Sequence, residues 1–440
     1  MIETFLTTYD PSDLPGFSVD PLGFEGNYLF LADKILPGLT NVASRPRYFA
    51  LICTGVLLCG DVSDATPRET IQRRQEIILR LERFWALANV LARPDGSGGV
   101  RGVTYAKTWA DEIQRQGVTR ATAKYRLLSR QSQYGAVGTY GNVADGMRFL
   151  NREDFTLTPA LGEVTGEAFR DETELPGSLR RAVLEDTDVP IATLAAWGER
   201  AHVEGKIKPA EAKCLSDALH SNPIRSSMAQ LLKLHPYAND KETELHRLDR
   251  IAKVLKKSGQ HTDIREALTC IIEFESCYQL AVLTLERLLW LCRHHAAAAV
   301  TLSELNGDSV LQLVRHRFPN QMRRLLEVLD NGTEPAFRQE LERLADVRRF
   351  LEKASFAAGD IEAFIGEVVA RHTDVQHGKF DRGRRKMPWL ERNGSRINLT
   401  MTRTGGMNRE VTLPQHIPPH AYRLRAADAL IFTSSKAAQS

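Results

Sequence analysis

Apolar residues recur at helical spacing over most of this chain. The spacing is clearest over residues 67–92 and 240–257, and it continues through the apolar stretch 263–295. Apolar positions three and four residues apart share one face of an α-helix, which can then be buried. From residue 179 to 371 few glycines or prolines interrupt the pattern. The chain is therefore predicted to be mainly α-helical.

Capping residues mark the ends of several predicted helices. Gly259 suits a helix C-terminus, because glycine adopts a left-handed backbone at little cost. Thr301 and Glu304 have the spacing of a capping box. Asp263 and Glu266 have the same spacing. Helices are predicted to begin at Thr301 and at Asp263.

The last part of the chain has a different pattern. Glycine and proline become frequent after residue 377, so long helices are not expected there. Apolar and polar residues alternate over 396–402, which predicts a strand, and residues 409–413 are its predicted partner. This region is predicted to be small, basic and of mixed α/β structure.

Four segments are predicted along the chain. The glycine-rich stretch after residue 92 separates a helical region, 1–95, from a second segment, 100–172. A helical bundle follows over 173–371, and the basic region occupies 372–440. At roughly 100–200 residues per domain, a chain of 440 residues is long enough for several domains.

The sequence also indicates a compartment. The first residues lack a basic stretch followed by an apolar run, so no signal peptide is predicted. The apolar run 48–59 is shorter than the ~20 residues that span a bilayer. The six cysteines include no Cys-x-x-Cys pair. We expect a cytoplasmic protein without a membrane segment, whose thiols are free and buried.

Positive charge is concentrated near the C-terminus. The whole chain carries a net charge of +3, whereas residues 371–409 contain ten basic and three acidic residues. Such a patch on an otherwise acidic body is typical of a surface that binds nucleic acid. The densest part has two aromatic neighbours, Phe380 and Trp389, which could stack on bases. Its five basic residues are Lys379, Arg382, Arg384, Arg385 and Lys386.

A second candidate surface lies in residues 104–171. Helices are predicted over 104–116, 119–133 and 142–150, followed by a polar loop and by the pattern Phe-Thr-Leu-Thr-Pro-Ala-Leu-Gly at 155–162. This order, with a Leu-Thr step leading from strand to helix, resembles a winged-helix domain. The resemblance implies a recognition helix near 142–150 and a wing near 151–154.

The resemblance also implies contacts with DNA phosphates. Arg148 lies on the implied recognition helix, while Arg120 and Lys124 lie on the helix before it. A winged-helix scaffold that only packs against protein is the alternative interpretation. Residues 134–141, just before the implied recognition helix, are unusually rich in glycine and are predicted to form a turn.

A metal site is the third possibility. His372, Asp374 and His377 combine two imidazoles with a carboxylate within six residues, and these are groups that bind transition metals. Asp374, His377 and Asp381 would share one face of a continuous helix, but Gly378 and Gly383 make that helix doubtful. No phosphate-binding loop, dinucleotide fingerprint or zinc-peptidase motif is present in the sequence, so no cofactor is expected.

Three functions follow from these features. The first is binding of nucleic acid, with DNA the first choice, by a non-catalytic component of a larger prokaryotic assembly that includes other proteins. Genome defence or maintenance is one setting for such an assembly. The second is a metal-dependent nuclease centred on His372, Asp374 and His377. The third is a structural scaffold whose basic region grips an acidic protein.

Overall fold

A computed structural model of the chain describes residues 20–60, 66–96, 98–331, 341–381, 384–400 and 410–437. The fold is mainly helical, as the sequence predicts. The first eleven helices are α1 (Glu25–Ile35), α2 (Arg47–Cys59), α3 (Pro67–Ala92), α4 (Val103–Gln116), α5 (Gln131–Tyr134), α6 (Ala136–Gly146), α7 (Val164–Glu172), α8 (Gly177–Glu185), α9 (Ile191–Arg200), α10 (Pro209–His220) and α11 (Pro223–Leu234). The later ones are α12 (Glu244–Ser258), α13 (Thr262–His294), α14 (Leu302–Leu305), α15 (Ser309–Asn331), α16 (Leu341–Ala357), α17 (Ile361–His377) and α18 (Leu424–Ala437).

The strands of the described residues are short. They are β1 (Arg120–Ala121), β2 (Leu150–Asn151), β3 (Thr156–Leu157), β4 (Val189–Pro190), β5 (Ala299–Thr301), β6 (Phe380–Asp381), β7 (Arg384–Arg385), β8 (Leu390–Asn393) and β9 (Arg396–Leu399). β1 pairs with β4, β2 with β3, and β6 with β7, all antiparallel. The largest sheet is antiparallel and has the order β5-β9-β8.

One compact unit is built from residues 36–236 and 423–437. Its centre is α2, which is buried on nearly every side because its sequence is almost entirely apolar. α3 packs against both α2 and α9. Trp85 on α3 donates from Nε1 to the Ala201 carbonyl over 2.6 Å. Helices from both sides of the glycine-rich stretch at 93–99 therefore share this core.

The second compact unit contains residues 20–35 and 237–422. Its axis is α13, a helix of 33 residues that packs against α1, α12 and α15. The sheet β5-β9-β8 lies between α13 and α17, since β5 and β9 contact α13 while β8 contacts α17. Strands β8 and β9 of the basic region therefore pack onto helices that precede them in the chain.

Among the described helices, α13 is the one that is long and apolar enough to cross a membrane by length and composition. Within its most apolar window, 67% of the residues are buried inside the protein. A buried core helix has the same composition as a membrane span. Its hydrophobicity is explained by packing within this unit.

Most predicted helix ends are confirmed. α12 ends at Gly259, which has a φ of 69°. Thr301 and Glu304 form a capping box at α14. The capping box predicted for Asp263 and Glu266 is wrong, because α13 begins after His261 without a side-chain cap.

The segment that resembles a winged helix differs locally from the prediction. Residues 119–133 are not one helix, because β1 leaves this segment to pair with β4. Most of the glycine-rich residues 134–141 lie in α6, where the sequence predicted a turn. A Cβ at Gly138 would lie 2.0 Å from the Gln133 carbonyl oxygen, so this close approach requires glycine. The hairpin β2–β3 lies where the resemblance places the wing.

The predicted partner of the C-terminal strand is wrong. β9 pairs with β8 on one side and β5 on the other. Of the predicted partner at 409–413, the described residues 410–413 form no strand. β5 lies in a part of the sequence that was predicted to be helical. It forms a strand because it pairs with β9, which is distant in the sequence.

The cysteines give a direct test of the packing. All six are unpaired and buried, as the sequence indicates, and burial raises the pKa of Cys59 and of Cys270 to about 12. Because the thiolate is the reactive form, we expect the native protein to react very slowly with an aromatic disulfide reagent at neutral pH. The unfolded protein should react fully. Rapid modification of the native protein, followed by absorbance, would contradict the buried positions.

Candidate nucleic-acid interface

The first basic residues of the C-terminal segment are tied to backbone within their own unit. Arg371 on α17 donates from Nε to the Leu22 carbonyl over 2.8 Å and pairs with Asp346 at 2.6 Å. Lys379 donates from Nζ to the Asp20 carbonyl over 2.5 Å, and burial lowers its pKa. Both cations therefore already make contacts that hold the unit together. The structure therefore gives Lys379 an anchoring role and leaves it out of the candidate interface.

His372 is the best-buried polar residue of this region. Its Nδ1 lies 3.0 Å from the Pro21 carbonyl oxygen, which can only accept, so Nδ1 carries the proton. Its Nε2 accepts a hydrogen bond from the backbone N–H of Trp389 over 2.9 Å. The ring is therefore neutral and held in one tautomer. Burial lowers its pKa to about 4.

This bonding removes the basis for the metal site. Both nitrogens of His372 are occupied by backbone groups, so neither can ligate an ion in this structure. Asp374 and His377 are exposed, and α17 ends at His377. Among the described residues no group of three or more His, Cys, Asp or Glu side chains is arranged to hold a metal. The structure therefore contradicts the use of His372 as a ligand and gives it a structural role.

Trp389 is also an anchor. Its side chain is only 6% exposed, and its ring packs against His372 with centroids 4.8 Å apart. The Trp389 carbonyl accepts from the Thr400 backbone N–H over 2.9 Å, and the Thr400 hydroxyl donates to the Pro388 carbonyl. A ring buried in this way cannot stack on a base. The sequence predicted that Trp389 would be exposed among the cations, but its tertiary contacts bury it in the core.

Four exposed cations remain on the described surface next to these anchors. We call Arg385, Lys386, Arg392 and Arg396 the cationic edge. Arg385 and Lys386 are consecutive, and neither forms an ion pair with a described acidic residue. Arg392 and Arg396 lie on the two strands of the neighbouring hairpin. The sequence analysis singled out the first two but not the hairpin pair.

The backbone that carries the first two cations is ordered on both sides. The Lys386 N–H donates to the Lys379 carbonyl over 2.9 Å and so extends the β6–β7 pairing. Pro388 and Trp389 then fix the chain to the core. Of the other predicted site residues, Arg382 and the side chain of Arg384 lie outside what the structure describes.

The hairpin cations have defined surroundings. The guanidinium of Arg392 lies over Gly366 on α17, where a Cβ would come 2.4 Å from its Nη1. Its Nε donates to the Gly394 carbonyl over 3.1 Å. Arg396 lies near Glu304, whose pKa is lowered mainly by hydrogen bonds from Thr301 and further by Arg396. The charge of Arg396 is thus partly balanced by a carboxylate, whereas Arg392 lies against backbone and stays exposed.

The cations predicted from the winged-helix resemblance lie in the other unit. Arg120 donates to the Asp188 carbonyl over 2.5 Å, and Lys124 pairs with Asp186 at 3.5 Å. Arg148 is exposed just after α6. Most of α6 is buried, so few of its side chains are available to a groove. Acids near Arg120 and Lys124 reduce the positive potential of this surface.

The sequence analysis missed a buried carboxylate in the second unit. Glu275, on α13, is fully buried and accepts from the backbone N–H of His420, over 3.1 Å, and from its Nδ1, over 2.7 Å. The Tyr422 hydroxyl donates to the same carboxylate over 2.6 Å. His420 also stacks on Tyr28 with centroids 4.4 Å apart. Nothing in the sequence distinguishes Glu275 from the other acidic residues of α13, such as Glu273.

Two further buried acids organise the other unit. Arg47 and Glu211 form a buried pair at 3.0 Å. Glu82 accepts from the Ala136 N–H over 2.7 Å and from Gln131 Nε2 over 2.8 Å. Burial raises the pKa of both glutamates to about 7. These contacts hold α2 and α6 in place.

Comparison of the chain with protein-family models, with curated proteins and with solved structures finds no match. Function is therefore inferred from the charges, burial and contacts of the chain itself.

Replacing His372 should change how stability depends on pH. Its folded pKa near 4 lies below the ordinary value of 6.5. The stabilisation is therefore complete above pH 6.5 and is lost as pH falls through 4. Across that interval we expect wild-type stability to fall by on the order of 2–3 kcal/mol more than that of His372→Asn. Urea titrations at several pH values would measure the difference.

The matched control is His377→Asn, because His377 is exposed on the same helix. Its pH profile should run parallel to that of the wild type. If the His372→Asn profile were also parallel, the neutral buried imidazole would be disproved.

Proposed function

We propose that the protein binds nucleic acid through the cationic edge. The observation that carries this proposal is the pair of consecutive exposed cations, Arg385 and Lys386, on backbone fixed from both sides. Like charges at adjacent positions repel each other, so an ordered surface that holds them gains from an anionic partner. Arg392 extends the positive surface along the neighbouring hairpin.

A phosphate backbone fits this arrangement. Guanidinium groups bind phosphate oxygens with two parallel hydrogen bonds, and an ammonium binds them as a point charge. Such contacts position a protein on nucleic acid without reading its sequence. The edge contains no carboxylate–imidazole or metal cluster among its described residues, so binding without catalysis is the activity that its geometry favours. DNA is the first probe, as the sequence analysis suggested.

An acidic protein is the competing partner. It would meet the same charges, but the two partners differ in how affinity depends on salt. Nucleic acid releases condensed counterions, which gives a linear and steep dependence of log affinity on log salt concentration. The slope also counts the phosphates that are neutralised.

The direct test removes the edge. Replacing Arg385, Lys386, Arg392 and Arg396 with alanine should flatten the salt slope by roughly 2–4 units, at about 0.9 per phosphate contact on duplex DNA. Folding should change little, because these side chains are exposed. Fluorescence anisotropy of labelled DNA, titrated with the full chain at several salt concentrations, measures both affinity and slope.

A matched variant removes the same charge elsewhere. Lys241, Lys253, Lys256 and Lys257 are exposed in the same unit, and their replacement by alanine should leave the slope near that of the wild type. A third variant lacks Arg120, Lys124 and Arg148. If only this third variant loses affinity, the interface lies in the other unit. No binding by the wild type at low salt would reject the function altogether.

A further inference from the structure

Met387 is a large apolar side chain held in an exposed position directly after the two consecutive cations. It is 55% exposed, although both residues that follow it are buried. The Lys386 N–H is bonded to the Lys379 carbonyl just before it. The Pro388 carbonyl, just after it, accepts from the Thr400 hydroxyl. The side chain therefore projects from an ordered backbone.

Its neighbours restrict what can cover it. A single exposed apolar residue is common on protein surfaces and needs no partner by itself. Here, however, two cations precede it, so a partner that covers it must carry negative charge as well as a flat or apolar surface. A nucleic acid has both, because phosphates and base faces alternate along its strand. Charge complementarity thus favours one class of partner.

We propose that Met387 packs against the faces of unstacked bases, so that the cationic edge prefers single-stranded to fully paired DNA. This inference rests on the proposed function. Apolar side chains, methionine among them, insert between base steps in known complexes, and opening a stacked step in a duplex costs a few kcal/mol. A single strand avoids most of that cost. The thioether is polarisable and makes favourable contacts with aromatic rings.

This assignment replaces the role that the sequence suggested for Trp389. The tryptophan ring is turned into the core against His372, and the residue two positions earlier is the one that reaches solvent. The buried tryptophan holds the backbone, while the methionine supplies the apolar contact. An anionic membrane also combines charge with apolar surface. Interfacial binding, however, uses the whole apolar face of a helix, and Met387 is the one exposed large apolar side chain among the described residues of 384–400.

The test compares single-stranded and duplex DNA with variants of this one residue. Met387→Ala and Met387→Gln should bind a single-stranded oligonucleotide about five- to tenfold more weakly, as expected for part of one methionine side chain re-exposed to water. Their duplex affinity should change by about twofold or less. The salt slope should stay that of the wild type, because every cation is retained. Met387→Leu should restore most of the single-strand affinity.

One further readout and one control variant separate the possible failures. In the wild type, a single strand that contains 2-aminopurine should change fluorescence on binding as its base contacts change, and the alanine variant should reduce that change. Phe356→Ala is the control for loss of an exposed apolar side chain in the same unit, since Phe356 is 94% exposed. It should bind both DNA forms like the wild type.

The inference is overturned if the Met387 variants bind single strands as tightly as the wild type. The proposed function survives that result as long as the charge variant still flattens the salt slope. If the wild type binds no nucleic acid, both the inference and the proposed function are rejected. Vesicles of anionic phospholipid provide the last arm. Sedimentation of the wild type with them, lost in Met387→Ala while DNA affinity is unchanged, would assign Met387 to a membrane surface instead.

Discussion

Two hydrogen bonds to one buried imidazole determine the geometry of the candidate interface. His372 donates to the Pro21 carbonyl and accepts from the Trp389 N–H, so it joins the start of the second unit to the residue just before β8. A protonated ring could not accept the second bond. The low pKa that burial imposes is therefore a condition for the arrangement as well as a result of it. Arg385 and Lys386 are positioned because Trp389 is fixed in this way.

Buried charged groups act similarly elsewhere. Glu275 accepts three hydrogen bonds and holds the segment around His420 against α13. Glu82 accepts the N–H of Ala136, at the start of α6. Each group would destabilise the core if it lost its partners, because an unsatisfied buried charge is costly. The fold thus uses single buried polar side chains to fix connections that apolar packing alone leaves loose.

Sequence patterns predicted what depends on neighbours along the chain. The helical content, the end of α12 at Gly259 and the capping box at Thr301 follow from local backbone chemistry. The helix through the glycine-rich residues 134–141 was missed. Glycine disfavours a helix locally, but a close backbone contact at Gly138 requires it here. The pairing of β5 with β9 was missed for a similar reason, since strand partners are set by contacts between distant residues.

The candidate site shows the same division between local and long-range information. Sequence located the positive charge, because charge can be counted, but it could not tell which cations are exposed. Lys379 donates a hydrogen bond to the Asp20 carbonyl, whereas Lys386 is exposed to solvent. His372 and Trp389 had side chains suited to a metal and to a base, and burial gave both a structural role. Met387 belongs to no recognisable sequence motif, and only its exposure beside two cations in the structure points to a role.

We propose that nucleic acid binds at the edge held by His372 and Trp389. Hydrogen–deuterium exchange of the full chain, with and without a single-stranded oligonucleotide, tests this claim most directly. We expect amides over 384–399 to exchange more slowly when the oligonucleotide is bound, and those over 120–152 to be unchanged. Slower exchange over 120–152, with no change over 384–399, would contradict it.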